Sequence, residues 1–148
     1  MKEYYQRSLL IIEDSDEDFA ALKRIMGKAK VTNSIYRCED GEEALDFLYH
    51  EGIYEDVSLA PRPSLIILDL NLPGTDGKEV LATLKEDRDL KTIPVVIFST
   101  SSNPKDINSC YSQGICGYII KPMDINHLNQ LVQTFLNYWF KTVELPEI

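Results

Sequence analysis

Three acids, a hydroxyl and a lysine stand at the ends of short apolar runs. Glu13 and Asp14 follow Leu9-Leu10-Ile11-Ile12, Asp69 follows Leu65 to Leu68, Ser99 follows Val95 to Phe98, and Lys121 follows Gly117 to Ile120. Apolar runs of this length, bounded by polar turn formers, read as buried strands. If the strands lie parallel in an open sheet, their carboxyl ends meet along one rim, where binding sites form. Three carboxylates crowded there repel one another unless a cation joins them. Oxygen-only ligands with room for water suit Mg²⁺. That inventory fits phosphoryl transfer, whose transition state spreads negative charge over oxygens and needs positioned cations more than covalent help. Asp69 is the candidate nucleophile, a role carboxylates fill in aspartyl-phosphate chemistry. Glu13, Asp14 and Asp69 are the candidate metal acids, and Lys121, Ser99 and backbone N–H groups the candidate partners of the phosphoryl oxygens.

The elements that must position these residues alternate along the chain. After the first strand, Ser15 is set to cap a helix whose first turn carries Asp16, Glu17 and Asp18, acids that favour the positive end of its dipole. Phe19, Leu22, Ile25, Met26 and Ala29 recur at helical spacing. A short strand is expected around Ile35 to Cys38, and Asp40 with Glu43 predicts a capping box before Ala44, Leu45 and Leu48. Glu51 to Pro63 is the least regular stretch and reads as an extended loop. Asp76 and Glu79 start a third helix, and Asn103-Pro104 a fourth, with proline where its missing N–H costs nothing. Asp124 caps a last helix, with Met123 expected to staple against Leu128 and with Leu131, Val132, Phe135, Leu136 and Trp139 on one face.

Five apolar strands interleaved with five amphipathic helices predict an α/β fold, a doubly wound parallel sheet with helices on both faces. The chain has 148 residues and 44% hydrophobic content, which suits one compact domain. Residues 1–138 are expected to form it, with residues 139–148 as a tail. Acids outnumber bases 24 to 15, a net charge of −9, which repels phosphate backbones and anionic lipid. No apolar run is long enough to span a bilayer, and no secretion signal opens the chain. A cytoplasmic protein with no nucleic-acid or membrane partner is therefore the expectation. Cys38, Cys110 and Cys116 lack metal-ligand spacing and read as reduced, packed thiols. His50 and His127 belong to no catalytic pattern.

Together these motifs resemble the receiver domain of two-component response regulators: I-I-E-D-S, then L-I-I-L-D-L-N-L-P-G-T-D-G, then V-V-I-F-S-T-S, then G-Y-I-I-K-P. The resemblance runs from about Ser8 to Phe135 and implies the flavodoxin-like strand order 2-1-3-4-5. It implies Asp69 as phospho-acceptor, Glu13 and Asp14 as Mg²⁺-binding acids, and Asn71 as the residue whose backbone carbonyl completes the metal site. Ser99 resembles the switch hydroxyl, Tyr118 the aromatic switch residue and Lys121 the salt-bridge lysine. Thr100 departs from the small residue common there and is expected to modulate phosphoryl turnover. A finer similarity is to the single-domain regulators of cyanobacterial phytochromes, carried by G-I-Y-E-D, L-K-T-I-P-V-V and the N-Y-W-F-K-T-V-E-L-P tail. It implies a histidine kinase partner of phytochrome type. It also implies a homodimer through the face made by the fourth helix, fifth strand and fifth helix, extended by Trp139, Phe140, Val143 and Leu145 if a monomer leaves them in water. No second domain follows, so output through another protein is expected.

Two other functions share parts of this pattern. Phosphatases of the haloacid-dehalogenase type resemble D-x-D, where the second acid protonates the leaving group; Asn71 stands there and cannot. Flavodoxins need a hydroxyl- and glycine-rich loop after the first strand to cradle a flavin phosphate, and Glu13 and Asp14 would repel it. The chemistry expected is that of a phosphorylation switch, not of a turnover enzyme.

Overall fold

The structure is a computed structural model that describes residues 7–146. The ends of the expected domain and tail, residues 1–6 and 147–148, lie outside the described residues. Five strands form one sheet: β1 (Leu9–Ile12), β2 (Ile35–Cys38), β3 (Leu65–Leu68), β4 (Val95–Ser99) and β5 (Gly117–Ile120). All pairs are parallel and the order is β2-β1-β3-β4-β5. The helices are α1 (Asp16–Lys28), α2 (Gly41–Tyr49), α3 (Gly77–Glu86), α4 (Pro104–Ser112) and α5 (Ile125–Leu136). This is the doubly wound fold expected from the alternation of patterns.

Side chains alternate across the pleat, so each strand feeds two cores. Leu10, Ile12, Ile66, Leu68 and Ile97 pack under α2 and α3 with Phe47, Val80, Leu81 and Leu84. Leu9, Ile11, Leu65, Ile67 and Val96 face the other way, against Leu22, Met26, Val132 and Phe135 of α1 and α5. Burying each such side chain favours folding by roughly 1.5–3 kcal/mol, which holds the central strands rigid. The covering is less complete than expected at β5, a sheet edge whose residues are only half-buried and whose Ile120 is exposed.

The caps form largely as the sequence predicts. Ser15 accepts from the Asp18 N–H at 3.2 Å, Asp76 from Glu79 at 3.0 Å, and Asp124 from Asn126 at 2.9 Å. Asp40 accepts from Glu43, but the Glu43 carboxylate reaches back to the Glu39 N–H, so the box is displaced by one residue. Met123 is fully exposed and staples nothing. The extended loop after α2 contains two short 3₁₀ turns, Gly52–Glu55 and Val57–Leu59.

The tail corrects a second expectation. Beyond Leu136 the chain widens into a π-type turn, Asn137–Thr142, closed by Val143 N–H donating to Tyr138 O at 3.0 Å. Trp139 and Phe140 then pack against the α1/α5 core, Leu145 is buried, and Glu144 pairs with Arg7. The tail's apolar surface is thus largely covered by its own domain, so its exposure gives no argument for a dimer.

Candidate functional site

The rim of the sheet is built by backbone contacts before any side chain acts. Asp69 N–H donates to Ile12 O at 3.0 Å, extending the β1–β3 ladder and bringing Asp69 beside Glu13. Arg37 on β2 donates through Nε to Glu13 O (3.1 Å) and through Nη2 to Asp14 O (3.4 Å), while its guanidinium covers the Phe19 ring at 4.7 Å. It thereby holds the acidic loop after β1 from behind. Gly77 at the start of α3 lies so near that a Cβ there would sit 2.1 Å from Asp69 O. Only glycine allows the helix to approach the end of β3 this closely.

On this frame Glu13, Asp14 and Asp69 offer carboxylate oxygens that all lie within 4.8 Å of one another. Glu13 and Asp69 are buried, whereas Asp14 is exposed at the edge of an open cleft of about 450 Å³ that Asn71 also lines. Asp69 Oδ1 accepts from the Asn71 N–H at 3.1 Å, and Oδ2 from Lys121 Nζ at 2.9 Å. Lys121 Nζ also lies 2.6 Å from Glu13 Oε1 and 2.8 Å from Asp18 Oδ2. One ammonium thus serves three carboxylates.

The Glu13 contact is a charge contact rather than a directed hydrogen bond, and Oε1 is left without a hydrogen-bond partner, the only such buried side-chain atom among the described residues. A buried carboxylate oxygen normally has one. Burial, then the hydrogen bond and charge of Asp69, push the Glu13 carboxyl up to about 8, against which Lys121 pulls only partly. Burial alone would lower the Lys121 ammonium, but its close contacts with Asp18, Glu13 and Asp69 outweigh it and raise it. A divalent cation among Glu13, Asp14 and Asp69 would meet the orphaned oxygen and offset the repulsion, so the donor set fits such an ion.

The remaining predicted residues sit on the same rim in a second layer. Ser99 is fully buried, and its Oγ accepts from the Ser101 N–H at 3.2 Å rather than contacting Asp69. Lys121 N–H donates to Ser99 O at 2.7 Å, so Lys121 and Ser99 share one ladder rung. Tyr118 is half-buried and donates its hydroxyl to Ser101 O at 2.8 Å. Thr100 and the Asn71 side chain are exposed. His127 is exposed, and His50 is used structurally, its ring contacting Ala60 O at 2.8 Å. Cys38 and Cys110 are buried thiols, and Cys116 is exposed.

Three contributors escaped the sequence reading. In the sequence Asp18 reads as a helix-dipole acid, and neither Gly77 nor Arg37 stands out as part of the site. A charged residue inside the otherwise apolar run Ile35–Cys38 was the signal available for Arg37.

Residues 9–133 match the response regulator receiver domain family. The chain belongs to that family. It is 38% identical over 138 residues to response regulator Rcp1 of Synechocystis sp., covering 93% of this chain and 92% of that protein. The Mn²⁺-bound form of Rcp1 superposes with a TM-score of 0.89 over 95% of this chain and 99% of that one. The phosphorylated cyanobacterial phytochrome response regulator RcpA does so with a TM-score of 0.89 at 38% identity, over 96% and 99%. This receiver domain is therefore a signalling protein of two-component systems, and a histidine kinase is its partner. No helix among the described residues is long and apolar enough to cross a membrane.

Proposed function

We propose that Asp69 accepts a phosphoryl group from a phytochrome-type histidine kinase in a Mg²⁺-dependent reaction. One observation carries this reading. Asp69 is buried, with one oxygen held by a backbone N–H and the other by Lys121, beside two further carboxylates. A carboxylate so held has little freedom to lose when a phosphoryl donor arrives.

When bound, Mg²⁺ would supply charge neutralisation for the carboxylates and the incoming phosphoryl oxygens. Glu13, Asp14 and Asp69 would hold it, with the backbone carbonyl of Asn71. The Asp69 carboxylate attacks phosphorus, the bond from phosphorus to the donor imidazole breaks, and the histidine leaves with its electron pair. Lys121 then exchanges its contact with Asp69 Oδ2 for a phosphoryl oxygen. Ser99 Oγ accepts from the Ser101 N–H, so its own O–H is free to donate to another phosphoryl oxygen, and any inward shift of Ser99 would carry Ser101 with it. Because the Tyr118 hydroxyl rests on Ser101 O, movement of Ser101 reaches the α4–β5–α5 face. Thr100 flanks Ser99 and would hinder an attacking water.

That face supports a phosphorylation-linked homodimer. Tyr111, Ile120 and Ile125 are about half-exposed on it, and Met123 is wholly so. The test is transfer of labelled phosphate from a panel of autophosphorylated kinases, followed by sedimentation. Fastest transfer from a phytochrome kinase and dimerisation on phosphorylation are expected; faster transfer from an unrelated kinase would move the partner elsewhere.

A further inference from the structure

The molecule exposes a second apolar surface, on the loop between α2 and β3. Of the nine exposed large apolar side chains among the described residues, Ile53, Val57 and Leu59 lie on it and Tyr49 stands at its junction with α2, with Ile53 at 74%. The loop enters β3 at its amino end, whereas Asp69 lies beyond its carboxyl end, and its residues 52–54 fold back along α2, apart from any residue assigned to the acidic site.

The loop is anchored from several sides. Tyr54 packs edge-on against Phe47 at 5.1 Å and donates its hydroxyl to Glu43. Arg62 donates to Leu48 O, and Tyr49 OH to Asp87 Oδ2 at 2.8 Å. His50, in the left-handed region at φ 56°, turns the chain at the end of α2. The apolar side chains are therefore presented outward from a braced backbone, which lowers the ordering cost of an encounter.

Charge indicates what fits. Between Arg37 and Arg62 the chain carries eight acidic residues and no Lys or Arg. Glu51, Glu55 and Asp56 are exposed among the apolar side chains. A second copy of this chain, with net charge −9, or an anionic lipid surface is repelled there. We propose that this loop is a docking surface for a protein segment that alternates Lys or Arg with large apolar residues, independent of the state of Asp69. Basic side chains would meet Glu51, Glu55 and Asp56 while apolar ones cover Ile53 and Leu59.

The probe is a synthetic amphipathic peptide of lysine and leucine, with oligolysine of equal length as control. Backbone amide shifts of the full chain locate each. The expected result is leucine-dependent binding centred on residues 49–59, at least tenfold weaker in Ile53→Ser/Leu59→Ser, and equal for phosphorylated and unphosphorylated protein. Circular dichroism verifies that the variant is folded. Equal binding of oligolysine, shifts spread over other acidic faces, undiminished binding by the variant, or no binding would overturn the proposal. So would loop-dependent self-association in sedimentation, or loop-dependent binding to phosphatidylglycerol vesicles.

Discussion

Asp18 and Lys121 are 103 positions apart in sequence, yet Asp18 Oδ2 lies 2.8 Å from Lys121 Nζ. The lysine is mostly buried, and Asp18 is its one partner open to solvent. Asp18 draws the ammonium outward, sharing a charge that Glu13 and Asp69 would otherwise keep between them. Its removal deletes one negative charge near the metal acids and leaves Lys121 more fully committed to two of them. Both effects oppose a cation. Asp18→Asn is expected to weaken Mg²⁺ binding by roughly twofold to fivefold, the range of about 0.4–1 kcal/mol that a partly exposed pair is worth. Calorimetric titration checks it, and unchanged affinity would remove Asp18 from the site.

Glu13 would give a metal site formed by these acids a pH dependence. Burial raises its folded pKa to about 8, above the ordinary 4.5. The folded, metal-free protein therefore binds a proton that the unfolded chain has released between those values, and its stability falls as pH rises from about 5 to 8. Mg²⁺ needs the ionised carboxylate, so its affinity should climb over the same interval. Glu13→Gln should bind the ion more weakly and flatten this climb. Thermal melts and Mg²⁺ titrations at pH 5.5, 6.5 and 7.5 measure both slopes; a pH-independent affinity for the parent would contradict the account.

Gly77 is expected to tolerate no side chain. An added Cβ would lie 2.1 Å from Asp69 O, forcing α3 away from β3. Gly77→Ala should cost about 1–3 kcal/mol, the usual range for overpacking, and slow phosphorylation by displacing the acceptor. Denaturant unfolding with labelling kinetics would detect this, and parent-like values for both would show that the helix yields freely.

These residues show what the sequence could reveal. Local pattern carried the strands, the helices and their caps, because burial periodicity and capping chemistry are short-range. Glu13, Asp69, Ser99 and Lys121 were legible because strand ends converge in any open parallel sheet. The Asp18–Lys121 pair was not, since it depends on how α1 is set against β5. The tail was misread for a related reason. Trp139 and Phe140 pack on the α1/α5 core and Leu145 is buried, on surfaces that no local pattern marks as vacant, and the Arg7–Glu144 pair joins distant parts of the chain. Met123 stayed in solvent because a staple requires a turn of chain toward Leu128 that composition does not encode.

Thr100 is expected to act on the phosphorylated state alone. Its side chain is exposed beside Ser99, where it would crowd an attacking water without supporting the core. Thr100→Ala should lose its phosphoryl group severalfold faster at unchanged stability. A lifetime equal to or longer than the parent's would refute steric hindrance.

In the proposed mechanism Asp69 is the phospho-acceptor and the acids around it serve through a metal ion. The most direct measurement is incorporation of labelled phosphate from acetyl phosphate, with Mg²⁺ and with excess chelator, into the parent and Asp69→Asn. The account predicts base-labile label in the parent only when Mg²⁺ is present, and none in Asp69→Asn. Undiminished labelling of Asp69→Asn, or labelling of the parent in chelator at the Mg²⁺ rate, would contradict it.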